Sequence, residues 1–304
     1  MIPLLKVENL KLHSRDSDGL SFLAVDGVSF ELNPGEILGI TGQIGSGKSS
    51  LAQGVTGFLR APLSHTSGEV RIEGKSIFDL DASSLRCSVL GKKIALIPQN
   101  AILSLPRFRK IKDFALDVVR SHYPNMTARE AGERIQERFR QIGLEPNSLL
   151  DGYPSELTPL LAPQVVIAVA TLMNPAILIV DELTSQPGPC MDLLLRIKSQ
   201  EIVRSLILCS KNSEVLKKFC TRIAVMCAGE FVEQGATEQI IEDPKHPYTQ
   251  IILHQGMDKI LPLTRTTQSC RFASSCPHAQ PDCYLVRQLM RTVADRDVKC
   301  MYAQ

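Results

Sequence analysis

Residues 37–59 read ILGITGQIGSGKSSLAQGVTGFL, and this stretch decides the fold. It begins with the apolar, partly β-branched run ILGIT, which is typical of a buried strand. A glycine-rich loop follows, and then SSLAQGVTGFL, whose apolar residues recur with helical spacing. A strand, a loop and a helix in this order predict the first unit of an α/β fold.

The loop between this strand and this helix matches G-x-x-x-x-G-K-[ST], a pattern that binds nucleotide phosphates. Glycines let the backbone turn successive N–H groups inward, and the N-terminus of the next helix adds partial positive charge. We expect Lys48 to contact the β- and γ-phosphates and Ser49 to bind Mg²⁺. The predicted nucleotide-binding residues of this phosphate loop are Gly42, Gln43, Ile44, Gly45, Ser46, Gly47, Lys48, Ser49 and Ser50.

A second apolar strand ends in two acidic residues. Residues 177–182 read ILIVDE, so the carboxylates follow the strand at the edge of the sheet where ligands bind in open α/β folds. We expect Asp181 to help hold Mg²⁺ and Glu182 to polarise the attacking water, as the catalytic residue.

Composition describes an ordinary globular chain of one large domain or two smaller ones. Its 304 residues are 44% hydrophobic and 22% charged, with a net charge of +2, which argues against a strongly basic nucleic-acid-binding protein. No apolar run reaches the roughly 18 residues of a spanning helix. The first residues, MIPLLKVENL, do not resemble a signal peptide, so we expect a cytosolic chain.

Strand and helix signals alternate along most of the chain. The first 40 residues predict short strands, with FLAVDGVSFEL read as two strands joined at Asp26-Gly27. Later apolar strands separated by helices predict a mostly parallel sheet with a helical insert near residues 105–170. After about Pro262 the sequence becomes polar and cysteine-rich, which indicates a small extension.

The two motifs and their order resemble the ATP-binding subunits of ABC transporters. Gln99 stands where that family places a catalytic glutamine that contacts Mg²⁺ and couples to the membrane subunits. Residues 228–250, AGEFVEQGATEQIIEDPKHPYTQ, resemble the end of the nucleotide-binding domain in the oligopeptide, dipeptide and nickel importers. The cysteines of the extension are similar to the tail of the same branch.

The resemblance implies the rest of the architecture and the partners. It implies an ABC-type P-loop NTPase domain at residues 1–255, of α/β class, with an antiparallel β subdomain and a helical subdomain, followed by a Cys-rich extension at 256–304. It implies ATP and Mg²⁺ as ligands, and a peptide, nickel or related solute as cargo. The implied partners are a second ABC ATPase subunit, two transmembrane permease subunits and, indirectly, an extracytoplasmic solute-binding protein. No nucleic acid is implied, and the expected location is the cytoplasmic face of the membrane, as a peripheral subunit.

Several positions depart from the family pattern. The signature loop, Leu-Ser-Gly-Gly-Gln in the family, aligns with residues 157–161, LTPLL. Pro159 has no N–H to offer a γ-phosphate, and Leu160 adds a branched side chain where glycine lets the backbone approach. Lys211 stands in place of the switch histidine, and Gly188 in place of the D-loop aspartate. The adenine-stacking aromatic is replaced by Ser14, beside His13, with Phe22 as a substitute.

These departures predict weak ATP hydrolysis by the chain alone. A homodimer would lack a working signature loop in both sites, so a heterodimer with an intact ATPase subunit fits the sequence better. One alternative is a regulatory or structural subunit that binds ATP and leaves hydrolysis to its partner. Another is a soluble ABC protein without membrane partners, which the importer-type tail disfavours.

Four cysteines crowd the extension with the spacing C-x5-C-x6-C-x16-C: Cys270, Cys276, Cys283 and Cys300. A cytosolic chain keeps its thiols reduced, so a local cluster of cysteines suggests metal binding. The resemblance implies a [4Fe–4S] cluster, while zinc, or packed thiols without metal, remain open. We expect this centre to lie far from ATP, because the extension follows the completed nucleotide domain. The remaining cysteines are expected to be buried apolar residues.

Overall fold

The structure is a computed structural model that describes residues 2–15, 19–182, 188–255 and 268–303. The chain divides into two compact units. The first contains Met1–Phe78 together with Ile207–Gln304, and the second contains Asp79–Leu206. The phosphate loop and the extension therefore belong to the same unit.

The strands, in chain order, are β1 (Leu5–Arg15), β2 (Ser21–Leu32), β3 (Ile37–Thr41), β4 (Ser64–Ile72), β5 (Lys75–Ser76), β6 (Ile94–Ile97), β7 (Ile177–Asp181), β8 (Ser205–Cys209), β9 (Arg222–Cys227), β10 (Glu230–Ala236), β11 (Arg291–Val293) and β12 (Arg296–Val298).

The α-helices are α1 (Lys48–Thr56), α2 (Ala82–Ser84), α3 (Ile111–His122), α4 (Ala128–Gln141), α5 (Pro146–Leu149), α6 (Leu161–Ala170), α7 (Gly188–Ser199), α8 (Ser213–Phe219), α9 (Thr237–Glu242), α10 (Pro247–Gln255) and α11 (Pro281–Leu285). A π-turn spans Leu85–Val89, and 3-10 turns span Ala101–Ser104, Pro154–Glu156 and Ala273–Ser275.

The first unit contains an antiparallel sheet with the order β2-β1-β4-β5, as the family resemblance implies. The prediction that Asp26-Gly27 joins two strands is wrong, because β2 runs without a break through both residues. Gly27 has a φ of 71°, and the register between β1 and β2 shifts beside it, from Leu10↔Val28 to Lys11↔Asp26. The pair therefore forms a bulge rather than a turn, since glycine accepts the positive φ that a bulge needs.

The second sheet of this unit holds the phosphate loop at the end of β3. Its strands have the order β11-β12-β10-β9-β3, with β8 on the far side of β3. The pairing of β3 with β9 is parallel, whereas β9, β10, β12 and β11 are antiparallel. All five residues of β3 are buried, because the strand lies inside the sheet. The extension is thus part of this unit, since β12 pairs directly with β10.

The second unit combines the parallel pair β6–β7 with a group of helices. In α3 the buried residues Ile111, Ala115 and Val119 recur every four positions, so one face of the helix packs inward. Thr127 begins α4 through a capping box with Glu130. The helical insert predicted near residues 105–170 corresponds to α3 through α6. Among the described residues, no helix is both long and apolar enough to cross a membrane.

A buried group of charges ties the extension to the core of the first unit. Arg271, with its side chain 2% exposed, pairs with Asp26 of β2 and with Glu230 of β10. Arg287 joins the same two carboxylates, and Lys299 lies 2.7 Å from Glu230. Charges this deeply buried are tolerated only when they are paired. The carboxylates of the core and the cations of the extension therefore depend on each other.

Removing the Asp26 carboxylate will therefore destabilise the protein. We expect Asp26→Ala to lower the free energy of unfolding by about 3 kcal/mol, because it leaves two arginines of the extension short of a buried partner. Denaturant unfolding measures this loss. Glu8→Ala serves as the control, since Glu8 pairs with Lys6 at the surface and its removal should leave stability nearly unchanged. Equal effects of the two variants would contradict the proposed tie.

Candidate functional site

The backbone of the phosphate loop is packed too tightly for a side chain at two of its three glycines. Gly42 has a φ of 146°, and a Cβ built there would lie 2.1 Å from the carbonyl oxygen of Met226. Gly47 has a φ of 110°, and its Cβ would lie 2.5 Å from the carbonyl oxygen of Ala24. Gly45, by contrast, has nothing within 4 Å of its added Cβ. The loop is thus held against the sheet on one side and open on the other.

Lys48 begins α1 and is buried, with 7% of its surface exposed. Its ammonium group donates to the carbonyl oxygens of Gly42, at 2.7 Å, and Gln43, at 3.0 Å. Ser49, the predicted Mg²⁺ ligand, is exposed, as is Ile44 at the tip of the loop. A buried cation beneath an open ring of backbone, at the N-terminus of a nine-residue helix, fits a polyphosphate.

A residue of α10 also holds the packed side of the loop. The backbone N–H of Gln43 donates to the hydroxyl oxygen of Tyr248, at 2.9 Å. That hydroxyl in turn faces the carbonyl oxygen of Met226, at 3.4 Å. Tyr248 is fully buried, so this hydrogen bond is shielded from water. A second anchor is the N–H of Gly229, which donates to the carbonyl oxygen of Ser46 at 2.7 Å.

The segment that carries Tyr248 is fixed by a buried carboxylate. The two oxygens of Glu233 accept hydrogen bonds from the backbone N–H groups of Lys245, at 2.8 Å, and His246, at 3.0 Å. The N–H of Tyr248 donates to Nδ1 of His246, at 3.0 Å. Burial lowers the pKa of His246 to about 3, so the ring is neutral and its nitrogen is free to accept. These contacts fix the start of α10 and aim Tyr248 at the loop.

The second unit brings Gln99 and Glu182 together. β6 and β7 are parallel, with Ile97 opposite Val180, so the residues two positions after this pair, Gln99 and Glu182, face one another. Nε2 of Gln99 donates to Oε2 of Glu182, at 2.7 Å. Asp181, the last residue of β7, is buried with 7% exposed, and Glu182 has a positive φ of 55°. Gln99 and Glu182 thus lie side by side where the two strands end.

The loop that aligns with the family signature uses its one remaining hydroxyl locally. Oγ1 of Thr158 accepts the backbone N–H of Leu161, the first residue of α6, at 3.2 Å. Leu160 is 45% exposed and Pro159 is also exposed. The exposed surface of this loop is therefore apolar at the positions where the family has glycine.

The other departures are placed as follows. Ser14 lies directly opposite Phe22 in the β1–β2 pairing, so the two side chains share a face of the sheet. Lys211 lies two residues beyond β8. Gly188 is the first residue of α7, while the rest of the predicted D-loop, residues 185–187, lies outside the described residues.

All four cysteines of the extension line one cavity of about 270 Å³, which we call the four-cysteine pocket. Its wall also includes His246 and Phe272. The cysteines are Cys270, Cys276 and Cys300, which are partly exposed, and Cys283, which is buried. Burial raises the pKa of the Cys270 thiol, and the neighbouring cysteines raise it further. The four cysteines therefore share one cavity, and the metal centre that the sequence predicts among them stays a prediction.

The thiols surround a space rather than a point. Among the described residues, no group of three or more His, Cys, Asp or Glu side chains is arranged to hold a metal ion. Thiolates are the donor type of both zinc and Fe–S centres, so the lining of the pocket matches either group by ligand type alone.

The expectation that this pocket lies far from the nucleotide loop is wrong. Phe272, which lines the pocket, makes an edge contact with the ring of Tyr248, at 5.3 Å between centroids. Arg271 donates to the carbonyl oxygen of Ala228, next to the Gly229 that holds Ser46. The sequence contains two signals of these contacts, the segment DPKHPYT and an arginine beside a cysteine. Neither signal indicates which distant residue is contacted.

Comparisons with known proteins agree with this geometry. The family model described as ABC transporter matches residues 25–185, more than half of the chain. The model described as oligopeptide/dipeptide transporter, C-terminal region, matches residues 232–283, which include Tyr248 and three of the four pocket cysteines.

Relatives and solved structures give the same result. The chain is 29% identical to the dipeptide transport ATP-binding protein DppD of Haemophilus influenzae, covering 98% of this chain and 94% of the relative. It is 28% identical to the oligopeptide transport ATP-binding protein OppF of Escherichia coli, covering 98% and 96%. The ATP-binding cassette MJ0796 bound to ADP and phosphate shares the fold, with a TM-score of 0.65 at 23% identity over 77% of this chain and 98% of that one. The chain therefore belongs to the ABC transporter family, as an ATPase of its oligopeptide and dipeptide importer branch.

Proposed function

We propose that this chain is one ATP-binding subunit of a peptide importer and that it works in an asymmetric pair with a second, intact ATPase subunit. The observation that carries the proposal is the contrast between its two loops. The phosphate loop keeps the glycines and the buried Lys48 that a nucleotide needs. The signature loop offers Pro159 and Leu160 instead of N–H groups and close backbone approach.

The roles of the residues follow from their chemistry. Bound Mg-ATP supplies the phosphoanhydride whose cleavage or retention changes the state of the pair. Lys48 and the backbone N–H groups of the loop bind the β- and γ-phosphates, with Ser49 and Asp181 as Mg²⁺ ligands. Glu182 orients the attacking water, and Gln99, hydrogen-bonded to it, positions that carboxylate.

An interface with a membrane subunit fits the segment after Gln99. Within nine residues of Gln99, three apolar side chains of the second unit face solvent: Ile102 at 37%, Leu103 at 60% and Phe108 at 93% exposed. Large exposed apolar groups in one segment mark an interaction site. We propose that this segment contacts a permease subunit and that the chain works as a peripheral subunit at the cytoplasmic face of the membrane. The relatives named as dipeptide and oligopeptide transport proteins support peptides as the solute.

A second candidate function is favoured by Thr158. Its hydroxyl accepts the N–H of the first residue of α6, so this group of the signature loop already has a partner within the chain. A subunit of this kind binds ATP to stabilise the pair while its partner carries out most of the hydrolysis. The two candidates differ in the turnover of the site built on Lys48.

Mg-ATP binding should depend on Lys48. Lys48→Ala removes the cation from the phosphate loop, so we expect the dissociation constant for Mg-ATP to rise at least tenfold by calorimetry. The matched control is Lys75→Ala, which removes an exposed lysine from β5 of the same unit. Equal affinities in the wild type and in Lys48→Ala would show that the site is vestigial.

Hydrolysis by the purified chain should be slow and should respond to repair of the signature loop. We expect the combined change T158S, P159G, L160G and L161Q to raise ATP turnover about a hundredfold, since each lost electrostatic element costs about that much. The same change in a Lys48→Ala background should give no turnover. Vigorous hydrolysis by the unmodified chain would refute the asymmetric pair.

The four-cysteine pocket is proposed to hold a [4Fe–4S] cluster, supported by the shared cavity and the four thiols. A bound cluster would join separate points of an extension that has few apolar residues. Anaerobic preparations should contain about four irons and four sulfides per chain. Cys276→Ser should lose the iron, whereas Cys87→Ser should keep it, since Cys87 lies in the second unit. The sequence-based expectation that Cys87 is buried is wrong, because this cysteine is exposed. A wild-type preparation with neither iron nor zinc would refute metal binding.

A further inference from the structure

Two buried connections run from the four-cysteine pocket to the phosphate loop. In the first, Phe272 lies two residues after Cys270 and packs edge-on against Tyr248, whose hydroxyl accepts the N–H of Gln43. His246, which also lines the pocket and is fully buried, lies close to the backbone of Lys299, the residue before Cys300. Since Nδ1 of His246 accepts the N–H of Tyr248, residues one or two positions away from Cys270 and Cys300 lie next to Tyr248 or to His246.

The second connection runs through the β9–β10 turn. Arg271, directly after Cys270, donates to the carbonyl oxygen of Ala228. The next residue, Gly229, donates its N–H to Ser46 at 2.7 Å, and its carbonyl oxygen accepts the N–H of Asp26 at 2.8 Å. The phosphate loop is thus held at Gln43 by Tyr248, which contacts Phe272, and at Ser46 by Gly229, whose neighbour Ala228 accepts a hydrogen bond from Arg271.

These contacts are buried and leave little room for independent movement. Tyr248 is fully buried, and Phe272 and Arg271 are 1% and 3% exposed. Close-packed interiors transmit small displacements because no free volume absorbs them. Drawing Cys270 and Cys300 together around a shared ligand moves Phe272 and Lys299, and therefore the surroundings of Tyr248. Opening the pocket removes that constraint.

We propose that Tyr248 positions the phosphate loop and thereby links the four-cysteine pocket to nucleotide binding, so that closing the pocket tightens the binding of Mg-ATP. The link rests on the proposed ATP binding by this chain. It is reciprocal, because any coupling between two binding sites acts equally in both directions. Mg-ATP therefore stabilises the closed pocket to the same extent as the closed pocket strengthens Mg-ATP binding.

The first measurement is Mg-ATP affinity in two forms of the full chain. One form is reconstituted anaerobically with iron and sulfide, and the other is treated with a chelator and kept reduced. We expect the dissociation constant to be about tenfold lower in the reconstituted form, within the usual range of coupling between sites. In Tyr248→Phe, which keeps the ring and loses only the hydroxyl, the two forms should bind alike, and both should bind several-fold more weakly than the reconstituted wild type.

The second measurement detects the reciprocal effect without nucleotide turnover. In reduced, metal-free protein carrying Cys87→Ser, the reaction of Cys270, Cys276 and Cys300 with a thiol reagent is followed by mass spectrometry of the labelled peptides. We expect saturating Mg-ATP to slow this labelling about tenfold in the wild type and not in Tyr248→Phe. Tyr284→Phe is the matched control, since its hydroxyl donates to Ala273 within the extension and does not contact the phosphate loop.

Phe272→Leu tests the same link by a different change. It removes the edge contact with Tyr248 while keeping the hydroxyl bonded to Gln43, so metal-free protein should bind Mg-ATP as the wild type does, but reconstitution should no longer improve binding. Mg-ATP binding that is equal in both forms of the wild type, or a full difference retained in Tyr248→Phe, would overturn the link alone. Absence of Mg-ATP binding in every form would overturn the proposed function with it.

Discussion

The hydrogen bond from the backbone of Gln43 to the hydroxyl of Tyr248 joins the two chain segments that make up the first unit. It does so within the loop that is proposed to bind phosphate. The loop is pressed against the sheet so closely that Gly42 and Gly47 have no room for a side chain. The N–H groups of this loop that face the protein need hydrogen-bond acceptors. The N–H of Gln43 finds one in the hydroxyl of Tyr248, which in turn donates to the carbonyl oxygen of Met226. The correct shape of the phosphate loop therefore depends on residues about 200 positions further along the chain.

The same dependence explains why the cysteine-rich extension is part of the nucleotide-binding unit. Its charges are neutralised by Asp26 and Glu230 in the core, and β12 pairs with β10. Glu233 of β10 then fixes the backbone that presents Tyr248. Strand pairing, buried ion pairs and the phosphate loop form one cooperative structure, so damage to the extension should be felt at the loop.

Local features of the fold are predictable from the sequence, and contacts between distant segments are not. The spacing of residues 37–59 is enough to predict a strand, a loop and a helix, because periodicity and glycine placement act within a few residues. The meeting of Gln99 and Glu182 also follows, since parallel strands end at the same edge. By contrast, Asp26-Gly27 has the composition of a turn but forms a bulge, because the pairing with β1 continues on both sides. The buried ion pairs of Arg271 are not predictable either, because a single arginine in a polar segment has the sequence pattern of a surface residue.

Hydrogen–deuterium exchange of the intact chain shows whether the nucleotide and the extension act on one structural unit. If they do, Mg-ATP slows exchange at residues 42–49 and, over the same concentration range, at residues 246–250 and 270–273. Protection confined to residues 42–49 would contradict the coupling of the extension to the phosphate loop. No protection at residues 42–49 at saturating Mg-ATP would contradict nucleotide binding itself.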